Sequence, residues 1–205
     1  MTARLVVLAS GQGTNLQALL DACRGEALPA RVVGVVSHTA SALALARAER
    51  AGLPGVFVAP PGKGAGAERR AAWDGALAER VAAMEPDVVV LAGWMRLLGP
   101  AFLDHFPGRV VNLHPALPGE LPGLHAIERA WDEAVAGRRT RTGVMVHLAV
   151  PEVDAGPVLA YEVIPIDTSG SLEALEAAVH AVEHRLIVEG VRRALEMVKS
   201  HDKAG

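Results

Sequence analysis

The segment Val110-Val111-Asn112-Leu113-His114-Pro115 places an amide and an imidazole two residues apart at the end of an apolar run. If that run is a buried strand, its period of two turns both side chains the same way. An amide N–H beside an imidazole N–H can stabilise a developing oxyanion while the imidazole also moves a proton. The plainer alternative is two polar side chains that satisfy loop backbone. Asp154 lies in the turn Pro151-Glu152-Val153-Asp154-Ala155-Gly156-Pro157, between two apolar segments, within reach of a neighbouring strand end. A carboxylate there pairs with His114, orients the ring and raises its pKa toward neutral pH. Aspartate is also common in Gly/Pro turns for purely local reasons.

Ser10-Gly11-Gln12-Gly13-Thr14-Asn15 stands between an apolar run and a helical pattern. Glycines permit close approach, and free N–H groups at a helix start attract an anion. Leu16 occupies the place of the third glycine of the dinucleotide fingerprint, and the triphosphate-loop lysine is missing, so a phosphomonoester suits the loop better than NAD or ATP. A tight turn capped by Thr14 is the competing reading. His180-Ala181-Val182-Glu183-His184 spells the inverted zinc-protease string H-x-x-E-H, with no third ligand evident on a second helix. His125 and His147 stand alone in the sequence and read as hydrogen-bonded structural groups.

These residues need a scaffold, and the apolar patterning supplies one. Strands are expected at 5–10, 32–36, 56–59, 88–91 and 110–113, alternating with helices at 14–23, 41–51 and 68–84. Such repeated βα units imply a parallel sheet covered on both faces. Beyond His114 come a Pro/Gly-rich stretch to Gly123, a helix near 126–136, segments 143–150 and 158–166 that pair antiparallel at one edge, and a helix from 171 to about 198. The fold expected is α/β: an open, mostly parallel doubly wound sheet, Rossmann-like in its N-terminal half, with an antiparallel edge in the C-terminal half and a long C-terminal helix. Residues 1–205 form a single domain, divided into a βα half (1–113), a catalytic half (114–199) and a frayed tail (200–205). The Gly-rich piece 60–66 reads as a mobile loop.

At 205 residues, 51% of them apolar, the chain can bury one sizeable core. No apolar run reaches membrane-spanning length, so no membrane partner is expected. A net charge of −3 with scattered basic residues excludes the electrostatic footprint of a nucleic-acid binder. The start shows no secretion signal, which together with a lone Cys23, read as a packed thiol, points to a reducing, cytoplasmic setting.

Taken together, the segments 10–18, 91–98, 112–115, 122–125 and 154–157 resemble the phosphoribosylglycinamide formyltransferase family, folate-dependent enzymes of purine synthesis, over about residues 4 to 195. The resemblance implies transfer of a formyl group from 10-formyltetrahydrofolate to the amine of glycinamide ribonucleotide, without metal or ATP, by a monomer or homodimer. It implies that Asn112 and His114 hold the formyl oxygen, His114 shuttling a proton, and that Asp154 tunes His114. Gly13, Thr14 and Asn15 match the family's phosphate loop, and Glu183 its ribonucleotide-holding acid. Met95, Arg96, Leu97, Leu98, Asn112, Val150, Pro151, Glu152, Val153 and Asp154 match segments lining the folate pocket, and Arg70 aligns with a folate-contacting arginine. Where the wider formyltransferase group usually carries Pro-Ser-Leu-Leu-Pro, this chain has Pro115-Ala116-Leu117-Pro118-Gly119, which loses a hydroxyl and moves a proline. Related enzymes that formylate initiator tRNA or hydrolyse formyl-folate are expected to carry additional domains.

Overall fold

The computed structural model describes residues 2–201. Its strands are β1 (Ala3–Leu8), β2 (Ala30–Ser37), β3 (Gly55–Phe57), β4 (Val88–Leu91), β5 (Val110–His114), β6 (Arg141–Leu148) and β7 (Val158–Pro165). Its helices are α1 (Thr14–Arg24), α2 (Leu43–Arg50), α3 (Ala67–Ala82), α4 (Pro100–Leu103), α5 (Ala126–Val135) and α6 (Leu172–His201). The seven strands form one sheet in the order β3-β2-β1-β4-β5-β6-β7. The pairings from β3 across to β5 are parallel, whereas β6 runs antiparallel to both β5 and β7.

The apolar strands are buried on both faces because helices cover both. On one side Leu5 and Val7 of β1 and Val88 and Val90 of β4 pack with Leu16 and Leu19 of α1, Ala44 of α2, and Val179 and Ile187 of α6. On the other, Val6, Leu8, Val89 and Leu91 meet Leu77 and Val81 of α3 and Phe102 of α4. The first cluster runs from β1 to α6 and so joins both halves of the chain. Cys23 packs against it from α1 as a half-buried thiol, its pKa pushed up by burial.

Strand order reverses direction between β1 and β4: the chain leaves β1 toward β2 and β3, then returns to the opposite flank. Such a switch point opens a crevice at the carboxyl ends of the strands, where this fold type binds ligands. Here the Ser10 N–H donates to the Gly93 carbonyl at 3.1 Å, bringing the loop after β1 against the loop after β4.

Several ends shift by one or two residues, β1 spanning Ala3–Leu8 where 5–10 was expected and β6 Arg141–Leu148 where 143–150 was, and two further elements depart from expectation. The four-residue α4, opened by Pro100, is too short to leave a periodic signal. The last helix continues through Ser200 and His201, so the frayed tail expected from 200 is helical at its start, and 202–205 lie outside the described residues. Among those described, no helix is long and apolar enough to cross a membrane.

Candidate active site

The even positions of β5 face one side, Val110 entering the core cluster beneath α3 and α4 while Val111 and Leu113 enter the opposite one. Asn112 and His114 share the parity of Val110 and meet a common carboxylate. Asn112 Nδ2 donates to Asp154 Oδ1 at 3.2 Å, and His114 Nδ1 lies 3.4 Å from Asp154 Oδ2. Asp154 is held at φ +52, a conformation aspartate tolerates better than most residues, and its Oδ2 also accepts the Gly123 N–H at 2.8 Å. One carboxylate therefore gathers the end of β5 and the loop that follows it.

A residue that sequence reasoning left aside completes the cluster. His147 stands opposite Asn112 in the β5–β6 register, its Nε2 3.1 Å from Asn112 Nδ2 and 3.6 Å from Asp154 Oδ1. Its Nδ1 faces the Leu148 carbonyl at 2.9 Å. A carbonyl only accepts, so the hydrogen sits on Nδ1 and Nε2 accepts from Asn112. The only sequence signal was a polar residue inside the apolar run of β6.

Both ring nitrogens of His114 face acceptors, the Leu121 carbonyl 3.0 Å from Nε2 and Asp154 Oδ2 3.4 Å from Nδ1. The neutral ring has one hydrogen, and the shorter contact places it on Nε2 and leaves Nδ1 the basic nitrogen. Burial pushes the His114 pKa below its ordinary value, and the Asp154 carboxylate and Leu121 carbonyl oppose that shift without reversing it. The expected rise toward neutral pH is thus corrected: Asp154 pulls upward, but with His114 only 5% exposed the loss of hydration wins. Burial likewise pushes Asp154 up, but the His147 and His114 rings, when they carry a second proton, and the Gly123 N–H hold it below the usual carboxylate range. The resting pair is neutral imidazole beside carboxylate.

At the switch point, Gly13 caps α1 at φ +70, and a Cβ there would come within 2.8 Å of Ala44 Cα. No side chain caps the helix, so the Thr14 reading gives way and the first N–H groups stay open to an anion. Arg47 steadies the loop through the Gln12 carbonyl at 2.8 Å and Gln17 Oε1 at 3.1 Å, contacts invisible at a separation of some thirty residues. Asn15, also buried, donates through Nδ2 to Glu183 Oε2 at 3.2 Å. Glu183 lies on the buried stripe of α6 with Val179 and Ile187, 6% exposed, and takes a second hydrogen bond from His180 Nδ1 at 2.9 Å. That bond raises the His180 pKa. Glu183 is committed to Asn15 and His180, and no group of three metal-ligating side chains forms among the described residues.

Asn112, His114 and Asp154 line a cavity of about 410 Å³, whose walls include Leu91, Leu98, Ala149 and Val150, with Met95, Arg96 and Leu97 on one rim and Pro151, Glu152 and Val153 on another. His125, at φ +58 at the start of α5, also borders it, its Nδ1 3.1 Å from Glu128 Oε1. Apolar walls with convergent polar groups at one end suit a flat heterocycle. Arg70 is not among these residues. It borders an adjoining cavity of about 670 Å³ that shares Met95 to Leu98 and Pro151, and its Nη1 donates to the Ala65 carbonyl at 2.8 Å. Between the two cavities Arg96 lies over the Trp73 ring at 5.3 Å, and Trp73 stacks on Trp94 at 6.2 Å.

A formyl transferase family model matches residues 3–191. The phosphoribosylglycinamide formyltransferase of Schizosaccharomyces pombe is 41% identical over 203 residues, covering 95% of this chain and 98% of the relative. That of Escherichia coli is 37% identical over 182 residues, covering 89% and 82%. The crystal structure of glycinamide ribonucleotide transformylase 1 from Symbiobacterium toebii superposes with a TM-score of 0.86 at 39% identity, covering 96% of this chain and 89% of that one.

Proposed function

Since the chain belongs to the formyl transferase family, we propose that it moves the formyl group of 10-formyltetrahydrofolate onto the amine of glycinamide ribonucleotide, using Asn112, His114 and Asp154 for the chemistry. The observation that carries this reading is the convergence of those three side chains at the mouth of β5, at the end of an apolar cavity.

In this reading the ribonucleotide phosphate sits on the N–H groups after Gly13, with Thr14 and Asn15 beside it, and Glu183 holds the ribonucleotide through the Asn15 contact. The ribonucleotide site then draws on both halves of the chain, so the division after residue 113 separates elements of sequence more than tasks. The folate heterocycle occupies the apolar cavity against Met95 to Leu98 and Val150 to Asp154, while Arg70 and Arg96 attend its anionic tail from the adjoining one.

The attacking amine forms a bond to the formyl carbon, whose oxygen becomes an oxyanion. Asn112 turns an amide hydrogen from Asp154 to that oxygen, and His114 Nδ1, carrying no hydrogen at rest, takes the proton the amine sheds. Protonated on both nitrogens, the ring is met by Asp154 on one edge and the Leu121 carbonyl on the other. The proton then passes to the folate nitrogen as the carbon–nitrogen bond to folate breaks. Each step balances without metal or nucleoside triphosphate. The same reading takes the enzyme to be cytoplasmic, a monomer or homodimer acting on small molecules and not on nucleic acid, in keeping with a net charge of −3 spread over the chain.

The test is direct: supply both substrates, follow loss of the formyl-folate absorbance, and omit each in turn. Turnover only when both are present is expected. Turnover without the ribonucleotide marks a hydrolase and overturns the assignment.

A further inference from the structure

The loop between Pro115 and Gly123, where the chain departs from the family pattern, carries an ion-pair cluster to which the reaction scheme assigns no task. Arg139, at the turn between α5 and β6, is only 16% exposed in its side chain. Its Nε donates to Glu133 Oε2 at 2.7 Å, and its Nη1 donates to Glu120 Oε2 and, at 3.4 Å, to the Arg141 carbonyl. Arg141 Nη2 lies 3.9 Å from the other Glu120 oxygen. Two arginines thus grip the one carboxylate that the loop projects.

The residue after Glu120 is the one that touches His114. Leu121 sits at φ +45, in the left-handed region that a leucine adopts only when its surroundings hold it there. Its side chain is buried with Ala116, Ala126 and Ala130, and its carbonyl accepts from His114 Nε2 at 3.0 Å. Downstream, Arg129 Nη1 donates to the Pro122 and Leu124 carbonyls at 2.8 and 3.2 Å, and Gly123 N–H is tied to Asp154. Beneath, Gly143 of β6 lets Leu117 lie on the sheet, since a Cβ there would meet Leu117 Cδ2 at 2.4 Å. Arg129 and Asp154 grip the loop only beyond Leu121; upstream of it the tie between charged side chains is Glu120.

We propose that Glu120, gripped by Arg139 and Arg141, is a positioning residue for His114: the ion pair holds the Leu121 carbonyl on Nε2 and so makes Nδ1 the nitrogen that receives the proton. The proposal rests on the reading that His114 moves a proton in formyl transfer. The charged and titratable groups that bear on the ring are Asp154, His147 and Arg129, and none of them contacts Nε2. Only the Leu121 carbonyl distinguishes the two ring nitrogens from that side.

The test replaces Glu120→Gln, which keeps the side chain's size and removes its charge, and follows the protein by nitrogen NMR of labelled histidine and by steady-state kinetics. In the parent, neutral His114 is expected wholly as the Nε2–H tautomer. In the variant an Nδ1–H population appears, the His114 pKa falls further, and kcat at pH 7 drops about ten-fold with both KM values within about two-fold, the loss of a hydrogen bond to a charged ring. Arg139→Gln repeats the effect, and Arg139→Lys, which keeps a cation on Glu120, largely restores the parent tautomer. An unchanged tautomer and kcat in Glu120→Gln overturns the proposal, as does a loss of kcat with the tautomer intact. Should His114→Ala retain turnover, the reading of His114 fails instead, and the tautomer measurement still decides what Glu120 does.

Discussion

Replacing Asp154→Asn tests the charge at the centre of the site with little change of shape. Asparagine accepts the φ of +52 found here, and its carbonyl can still take the Gly123 N–H. What is lost is the negative charge 3.4 Å from His114 Nδ1. At that separation two unit charges interact by about 5 kcal/mol at an effective dielectric of about 20. With about half of that recovered by the asparagine dipole and entering water, about 2.5 kcal/mol remains, which lowers the His114 pKa further and corresponds to about a hundred-fold in kcat. The assay is kcat and KM for both substrates across pH 5.5 to 9, with ribonucleotide binding followed separately by calorimetry. A kcat within about three-fold of the parent contradicts an electrostatic role for Asp154 of this size. A rise in ribonucleotide KM at unchanged kcat would assign it to binding instead.

Glu183→Gln removes the carboxylate that receives Asn15 Nδ2; the KM for the ribonucleotide should rise at least about ten-fold, the worth of a charge-assisted hydrogen bond, with the folate KM unmoved. Equal changes in both KM values would show a general loss of structure. Gly13→Ala forces a Cβ into a left-handed residue already crowded by Ala44 and should cost about 1 to 3 kcal/mol in urea unfolding while weakening phosphate binding. Unaltered stability would mean that the loop carries no such constraint. For acid stability the sign follows from burial: the unfolded His114 takes a proton below about pH 6.5, the folded ring resists it, and the unfolded state therefore binds more protons. The denaturation midpoint should fall as pH drops from 7 to 5, and His114→Asn should flatten that slope; an equal slope in the variant refutes the contribution.

How much of this was legible in the sequence depends on the range of the interaction. The parallel strands were readable because burial on both faces demands continuous apolar runs, and the period of two along β5 was enough to put Asn112 and His114 on one side. The antiparallel edge at β6 and β7 followed from two apolar segments about a turn, and it formed as expected. The expectation that Asp154 pairs with His114 was sound, yet its consequence for the pKa was not, because a sequence shows the partner charge and hides how much water the ring has lost.

His147 shows the other limit. Its place in the cluster depends on β6 pairing with β5 so that His147 falls opposite Asn112; a slip of one residue would send it to the other face. Nothing local in the sequence fixes that register. Glu183 marks a middle case, because a carboxylate on the stripe that also holds Val179 and Ile187 is a conflict that could be read without coordinates. A charge at a core position is costly unless something answers it, and here the answer, Asn15, lies 168 residues away in the first turn of α1. The zinc-protease string is therefore better understood as one buried acid serving a distant helix start, with His180 supporting it from the preceding turn. Four polar positions that break an apolar pattern, Asn112, His114, His147 and Glu183, have partners near the carboxyl ends of β1 and β5. Each of the four is met by a residue from elsewhere in the chain, and the Asn15–Glu183 and Asn112–Asp154 hydrogen bonds tie the two halves into one site.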